Sequence, residues 1–118
     1  MISWRKHYKR GLIAIGLLLS TSASIYAQGD AKNGEKLFKA NCTACHALDK
    51  QLVGPALGGV VDRLKKEQNL DTDWLHKWIK DNKSLRESGD KYAIEVYEKF
   101  NKTAMLAYPN LTDQDIND

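Results

Sequence analysis

Asn41-Cys42-Thr43-Ala44-Cys45-His46-Ala47-Leu48 is the stretch on which the reading of this chain turns. Two thiols three residues apart on a helical turn face the same way, and a histidine follows at once. The chain holds no other cysteine. A structural zinc site wants four ligands, more than two thiols supply. A thioredoxin-like redox pair sits where a strand gives way to a helix, and here the motif closes a helical stretch. A plain disulfide would leave His46 and the segments around it without a purpose.

Upstream, residues 31–46 read as one helix. Asp30 is its N-cap, Leu37, Ala40, Ala44 and Leu48 lie near one face, and Phe38 is beside them. Downstream, Gly54, Pro55, Gly58 and Gly59 make residues 49–61 a tightly turning loop. Residues 60–68 predict a short helix with Val61 and Leu64 inward. Residues 72–82 predict a third, capped by Asp71 or Thr72, with Trp74, Leu75, Trp78 and Ile79 as its apolar stripe. Residues 84–89 form a polar connector. A fourth helix fits residues 90–101, with Ala93, Val96, Tyr97 and Phe100 at helical spacing. After a loop over residues 102–111, Thr112 caps another start, with Asp113 and Asp115 where a helix N-terminus favours negative charge. No stretch reads as a strand and nothing repeats, so the class is all-α.

In such a setting C-x-x-C-H marks covalent attachment of a c-type haem. The two thiols add to the vinyl groups along one edge of the macrocycle, and the next residue supplies an axial nitrogen to iron. This makes Cys42, Cys45 and His46 the first site residues, with one covalent haem c per chain. The iron's other face takes Met, His or nothing. His76 falls off the Trp74–Leu75–Trp78–Ile79 stripe and is expected in solvent. Met105 stands in an irregular loop between Ala104 and Leu106, which suits a thioether presented to iron; the competing use of a lone Met is to fill a core. His46 and Met105 are therefore the expected metal ligands.

The first 27 residues have a different character. Arg5, Lys6, Lys9 and Arg10 precede a nine-residue apolar run over residues 11–19, then a small, polar stretch up to Ala27. That order is a secretory signal peptide, cut after Ala27. A spanning helix would need roughly 20 apolar residues. The whole chain has 118 residues and a net charge of +3, but all four of those basic residues sit in the leader. Residues 28–118 carry 14 basic against 15 acidic residues, a net −1, so charge gives no support to nucleic-acid binding. A domain of about 90 residues often needs a staple, and a covalent cofactor is one. Export places the protein in the periplasm or at the outer face of the cytoplasmic membrane.

Over residues 34–116 the chain resembles the class I cytochrome c domain. Gly34 and Phe38 stand where that family has a Gly and an aromatic before the haem motif. Gly54-Pro55-Ala56-Leu57-Gly58-Gly59 resembles its G-P-x-L-x-G loop. Trp74-Leu75-His76-Lys77-Trp78-Ile79 resembles its W-L-x-x-W-I helix, and residues 105–116 resemble its Met loop followed by L-T-x-x-D/E-I. The resemblance implies that the Pro55 carbonyl accepts a hydrogen bond from His46, that Leu57 packs on the haem face, and that Trp78 lines the pocket or the propionate edge. It implies four to five short helices wrapped around the haem. Two features depart from the pattern. Leu106 follows Met105 where many members have Pro. The family's last helix, which crosses the first near Gly34 and Phe38, is cut short at Asp118, so the chain is expected to be part of something longer.

Six-coordinate iron leaves no open position, so the expected task is transfer of single electrons between proteins and not catalysis. Its partners would be a quinol-oxidising complex, a terminal oxidase or other cytochromes, met through a small, brief contact. Lys39, Lys50, Lys65, Lys66, Lys77 and Lys80 could ring the haem edge, or simply be a solvated surface. One alternative is a haem domain fused into a larger membrane-bound electron-transfer subunit, with membrane association through that fusion or through a partner. A remoter one is a peroxidase or gas sensor with an open sixth site.

Overall fold

A computed structural model describes residues 29–118; the expected leader lies outside the described residues. Among these the architecture is all-α: α1 Ala31–Asn41, α2 Val60–Arg63 running into a wider π-type turn Leu64–Gln68, α3 Thr72–Glu87, α4 Lys91–Lys99 and α5 Asp113–Asn117. None of the described helices is long and apolar enough to cross a membrane.

Side-chain caps set most of the helix starts. Asp30 accepts from the Lys32 and Asn33 amides, Asp71 from Trp74, and Asp90 from Ala93. Each satisfies donors that a helix N-terminus leaves free. Thr112 and Asp115 form a reciprocal capping box on α5.

The fourth helix is trimmed to Lys91–Lys99, and two boundaries differ more from the sequence expectation. The first helix ends at Asn41, and the cysteines follow in a separate turn closed by Cys45 N–H and His46 N–H on the Cys42 carbonyl, at 3.1 and 2.9 Å. The third runs on through the expected connector to Glu87 but breaks at Asp81, whose φ of −158° and ψ of 75° are not helical. The Asp81 carboxylate then accepts from the Ser84 amide at 3.0 Å and its hydroxyl at 2.6 Å. This is the N-cap pattern, so α3 is physically two helices end to end.

The core is small. Leu64, Trp74 and Ala93 are its buried members, with Val60, Leu70, Leu75, Trp78, Leu85 and Tyr92 packed around them. Trp74 is the hub. It stacks on Trp78 with centroids 5.3 Å apart and meets Tyr92 at 5.1 Å in a tilted pair. Its indole N–H reaches the Asp90 carboxylate at 3.2 Å, so the residue that caps α4 also ties α4 to α3. Val61, expected inward, is 45% exposed, and Val60 takes the inner position.

α5 docks on both α1 and α3. The Asn33 side-chain amide donates to Asp118 at 2.7 Å and to Asp115 at 3.3 Å. Gly34 faces the Asp118 backbone so closely that a Cβ there would overlap it. Short as it is, α5 therefore packs against α1 at Gly34. His76 is also not in open solvent. Its side chain is 15% exposed, with Nε2 2.9 Å from the Asn117 side-chain oxygen and Nδ1 3.6 Å from Asp113.

Candidate functional site

The turn after α1 leaves Cys42 half-buried, Cys45 exposed and neither in a disulfide. Burial pushes the Cys42 thiol up, toward its neutral form. His46 then enters a loop that runs back along its own start. Gly54 N–H donates to the Cys45 carbonyl, Leu57 N–H to Ala47 and Gly58 N–H to Leu48, each at 2.9 Å. These bonds bring residues 54–58 under the imidazole.

His46 Nδ1 lies 2.9 Å from the Pro55 carbonyl oxygen. A carbonyl can only accept, so Nδ1 carries the proton and the Nε2 lone pair is left for another partner. Gly54 is what allows the approach, because a Cβ there would come within 2.8 Å of Nδ1 and 2.9 Å of Nε2. Arg63 braces the same loop from α2, donating to the Ala56 carbonyl at 2.7 Å and also to the Gly58 carbonyl. Leu57 is half-buried and enters through its backbone bond to Ala47.

Met105 sits in the loop between α4 and α5 and is half-buried. Three contacts tie this loop to α3. Trp78 Nε1–H donates to the Met105 sulfur at 3.2 Å, Asn82 Nδ2–H to the Met105 carbonyl at 3.0 Å, and Tyr108 N–H to the Ile79 carbonyl at 2.9 Å. A fourth reaches α1, where the Tyr108 hydroxyl donates to the Asn41 carbonyl at 2.7 Å. The last residue before Cys42 is thereby fastened to the Met105 loop. Burial raises the Tyr108 phenol above its ordinary value.

Sequence reasoning missed Arg63, Asn82 and Tyr108 as parts of this scaffold. A polar residue after a helix stripe carries no signal of its own. The one clue was Asp81-Asn82, two poor interior helix formers in succession. Of the expected lysine ring, Lys39 pairs with Glu35 and Lys80 with Asp113, so neither is a free surface charge.

The residues fit a haem. His46 offers one free, oriented nitrogen, and a thioether can use one lone pair on Trp78 and another on a metal. Only three apolar side chains are buried among the described residues, a thin core for this length. Four of the six exposed large apolar side chains, Leu48, Leu52, Val53 and Leu106, lie on the His46 and Met105 loops. A large apolar ring between those loops would cover surface of this kind.

Comparison with known proteins gives the same family as the sequence motifs. The family model described as Cytochrome c matches residues 31–118. A cytochrome c2 of Rhodopseudomonas palustris is 54% identical over 44 residues, covering 37% of this chain and 31% of that protein. A cytochrome c-type cyt cy of Rhodobacter capsulatus is 56% identical over 36 residues, covering 30% of this chain and 18% of that protein. A cytochrome c6 of Cyanidioschyzon merolae is 29% identical over 89 residues, covering 75% of this chain and 67% of that protein. The match to the first of these spans about a third of its length. No solved structure gives a significant match.

Proposed function

Because the chain belongs to the cytochrome c family, whose members carry covalent haem c and act as electron carriers and not enzymes, we propose that it transfers single electrons through one haem c held by Cys42 and Cys45, with His46 and Met105 as axial ligands. When bound, the haem supplies a one-electron ferric/ferrous couple. The chain's own residues do the rest. Pro55 fixes the His46 tautomer and ring plane, which also raises the basicity of the ligating nitrogen. Met105 presents a soft thioether that favours the ferrous state, and Trp78 holds its sulfur in place. Leu57 and Trp78 contribute apolar walls that keep water from the site. With His46 and Met105 both holding its iron, the haem would keep no position for a substrate.

We further propose that residues 1–27 direct export, so that the protein works in the periplasm or at the outer face of the cytoplasmic membrane. There it would exchange electrons with a quinol-oxidising complex, a terminal oxidase or another cytochrome in a respiratory chain.

The observation that carries this reading is the His46–Pro55 hydrogen bond at 2.9 Å over a glycine that has no room for a side chain. The test is expression in a host that matures c-type haem, followed by a denaturing gel stained for haem. A stained band that disappears in the Cys42→Ala/Cys45→Ala variant is expected. An unstained wild-type band would contradict the proposal.

A further inference from the structure

Asn82 is the single buried polar side chain among the described residues, 3% exposed, and its amide donates to the Met105 carbonyl. It stands immediately after the break at Asp81. A break disrupts i→i+4 pairing across it and leaves the preceding carbonyls in need of partners. The Ile79 carbonyl finds one in Tyr108 N–H. The loop is thus gripped on both sides of the break, at Met105 by Asn82 and at Tyr108 by Ile79. Little within the loop itself could hold Met105. Residues 103–108 have no regular structure, Leu106 is 72% exposed, and the first proline comes only at Pro109.

We propose that Asn82 is a positioning residue that keeps the Met105 thioether on iron against competing ligands. The proposal rests on Met105 being the axial ligand. Asn82 never touches the metal. It fixes the main chain of Met105, so the sulfur has few alternative positions and an incoming ligand must break a buried hydrogen bond to displace it. Burial makes that bond matter, because the Asn82 amide, 3% exposed, would be left without a partner.

The experiment is imidazole titration of the oxidised holoprotein, followed through the near-infrared iron–thioether band. Asn82→Leu keeps the branched shape and removes the donor. Asn82→Ala removes the donor without adding bulk, should the leucine not be accommodated. Leu64→Val is the control, loosening the core around Trp74 while leaving both donors to Met105, Trp78 and Asn82, in place. Imidazole affinity is expected to rise about tenfold in the Asn82 variants and to stay at the wild-type value in Leu64→Val. Wild-type affinity in both Asn82 variants, or an equal rise in Leu64→Val, would overturn the role of Asn82 while leaving the ligand assignment standing. A wild-type protein without the band, or one binding imidazole as tightly as Met105→Ala does, would overturn the ligand assignment, and the inference with it.

Discussion

The His46 loop is held by its near neighbours in sequence, and the Met105 loop by residues far from it. The bonds that place His46 and its loop lie within residues 42–63, mostly backbone to backbone with Arg63 as a side-chain brace. Met105 depends on Trp78 and Asn82, 27 and 23 residues away, and its loop on a tyrosine that reaches 67 residues back to Asn41. Local bonds involve little loop-closure entropy, whereas distant ones hold only while the helices stay docked. The first arrangement makes the His46 side rigid. The second makes the Met105 side the one expected to yield first when the fold is stressed.

The sharpest way to break the contrast is on the rigid side. Gly54→Ala pushes a methyl into the His46 ring, and overpacking of this kind costs about 1–3 kcal/mol. Denaturant unfolding of the holoprotein should show that loss together with an altered haem spectrum. Unchanged stability and spectrum would mean that the loop does not clamp the imidazole.

On the Met105 side, Tyr108→Phe removes the hydroxyl that ties the Met105 loop to Asn41. A loss of about 1 kcal/mol is expected. Imidazole should then compete severalfold better for iron, with covalent haem attachment unaffected. Equal imidazole affinity in variant and wild type would argue that the loop is held by α3 alone.

How much of this could be read from the sequence follows the same divide. The attachment motif, the Gly54-Pro55 turn and the Trp74–Trp78 stripe are local patterns with fixed spacing, so they were legible. The end of α1 before the cysteines was not, because the turn at 42–46 keeps helix-like spacing after the helix itself stops. The break in α3 was missed because Asp81 acts as an internal cap, which looks from sequence like a solvated helix residue. Asn82, Tyr108 and the clasp of His76 onto α5 take their roles from contacts dozens of residues away, and a single sequence does not display those.

A smaller effect is expected on α5, which is held by acids. Lys80 keeps Asp113 below the ordinary carboxylate range, Thr112 does the same for Asp115, and Asn33 for Asp118. Carboxyls depressed in the folded state contribute stability above their ordinary value near 3.8, and that stability is lost as pH falls through their folded values. Hydrogen exchange in α5 should therefore accelerate as pH drops below about 4, relative to α1 and after correction for intrinsic rates. Parallel behaviour of the two helices would show that these carboxylates do not hold α5. The smallest effect belongs to Glu35→Gln. It removes an ion pair with Lys39 that is exposed on both sides, and no change in Tm is expected. A clear drop would show that α1 relies on its surface charges.

Electron transfer with no open position on iron requires Met105 to hold the metal opposite His46. The most direct measurement is the near-infrared spectrum of the oxidised holoprotein beside that of Met105→Ala, with carbon monoxide added to the ferrous forms. A thioether band in the wild type, its loss in the variant, and carbon monoxide binding in the variant alone are the predicted results. A spectrum unchanged by Met105→Ala, or ready carbon monoxide binding by the wild type, would contradict it and point to an open sixth position.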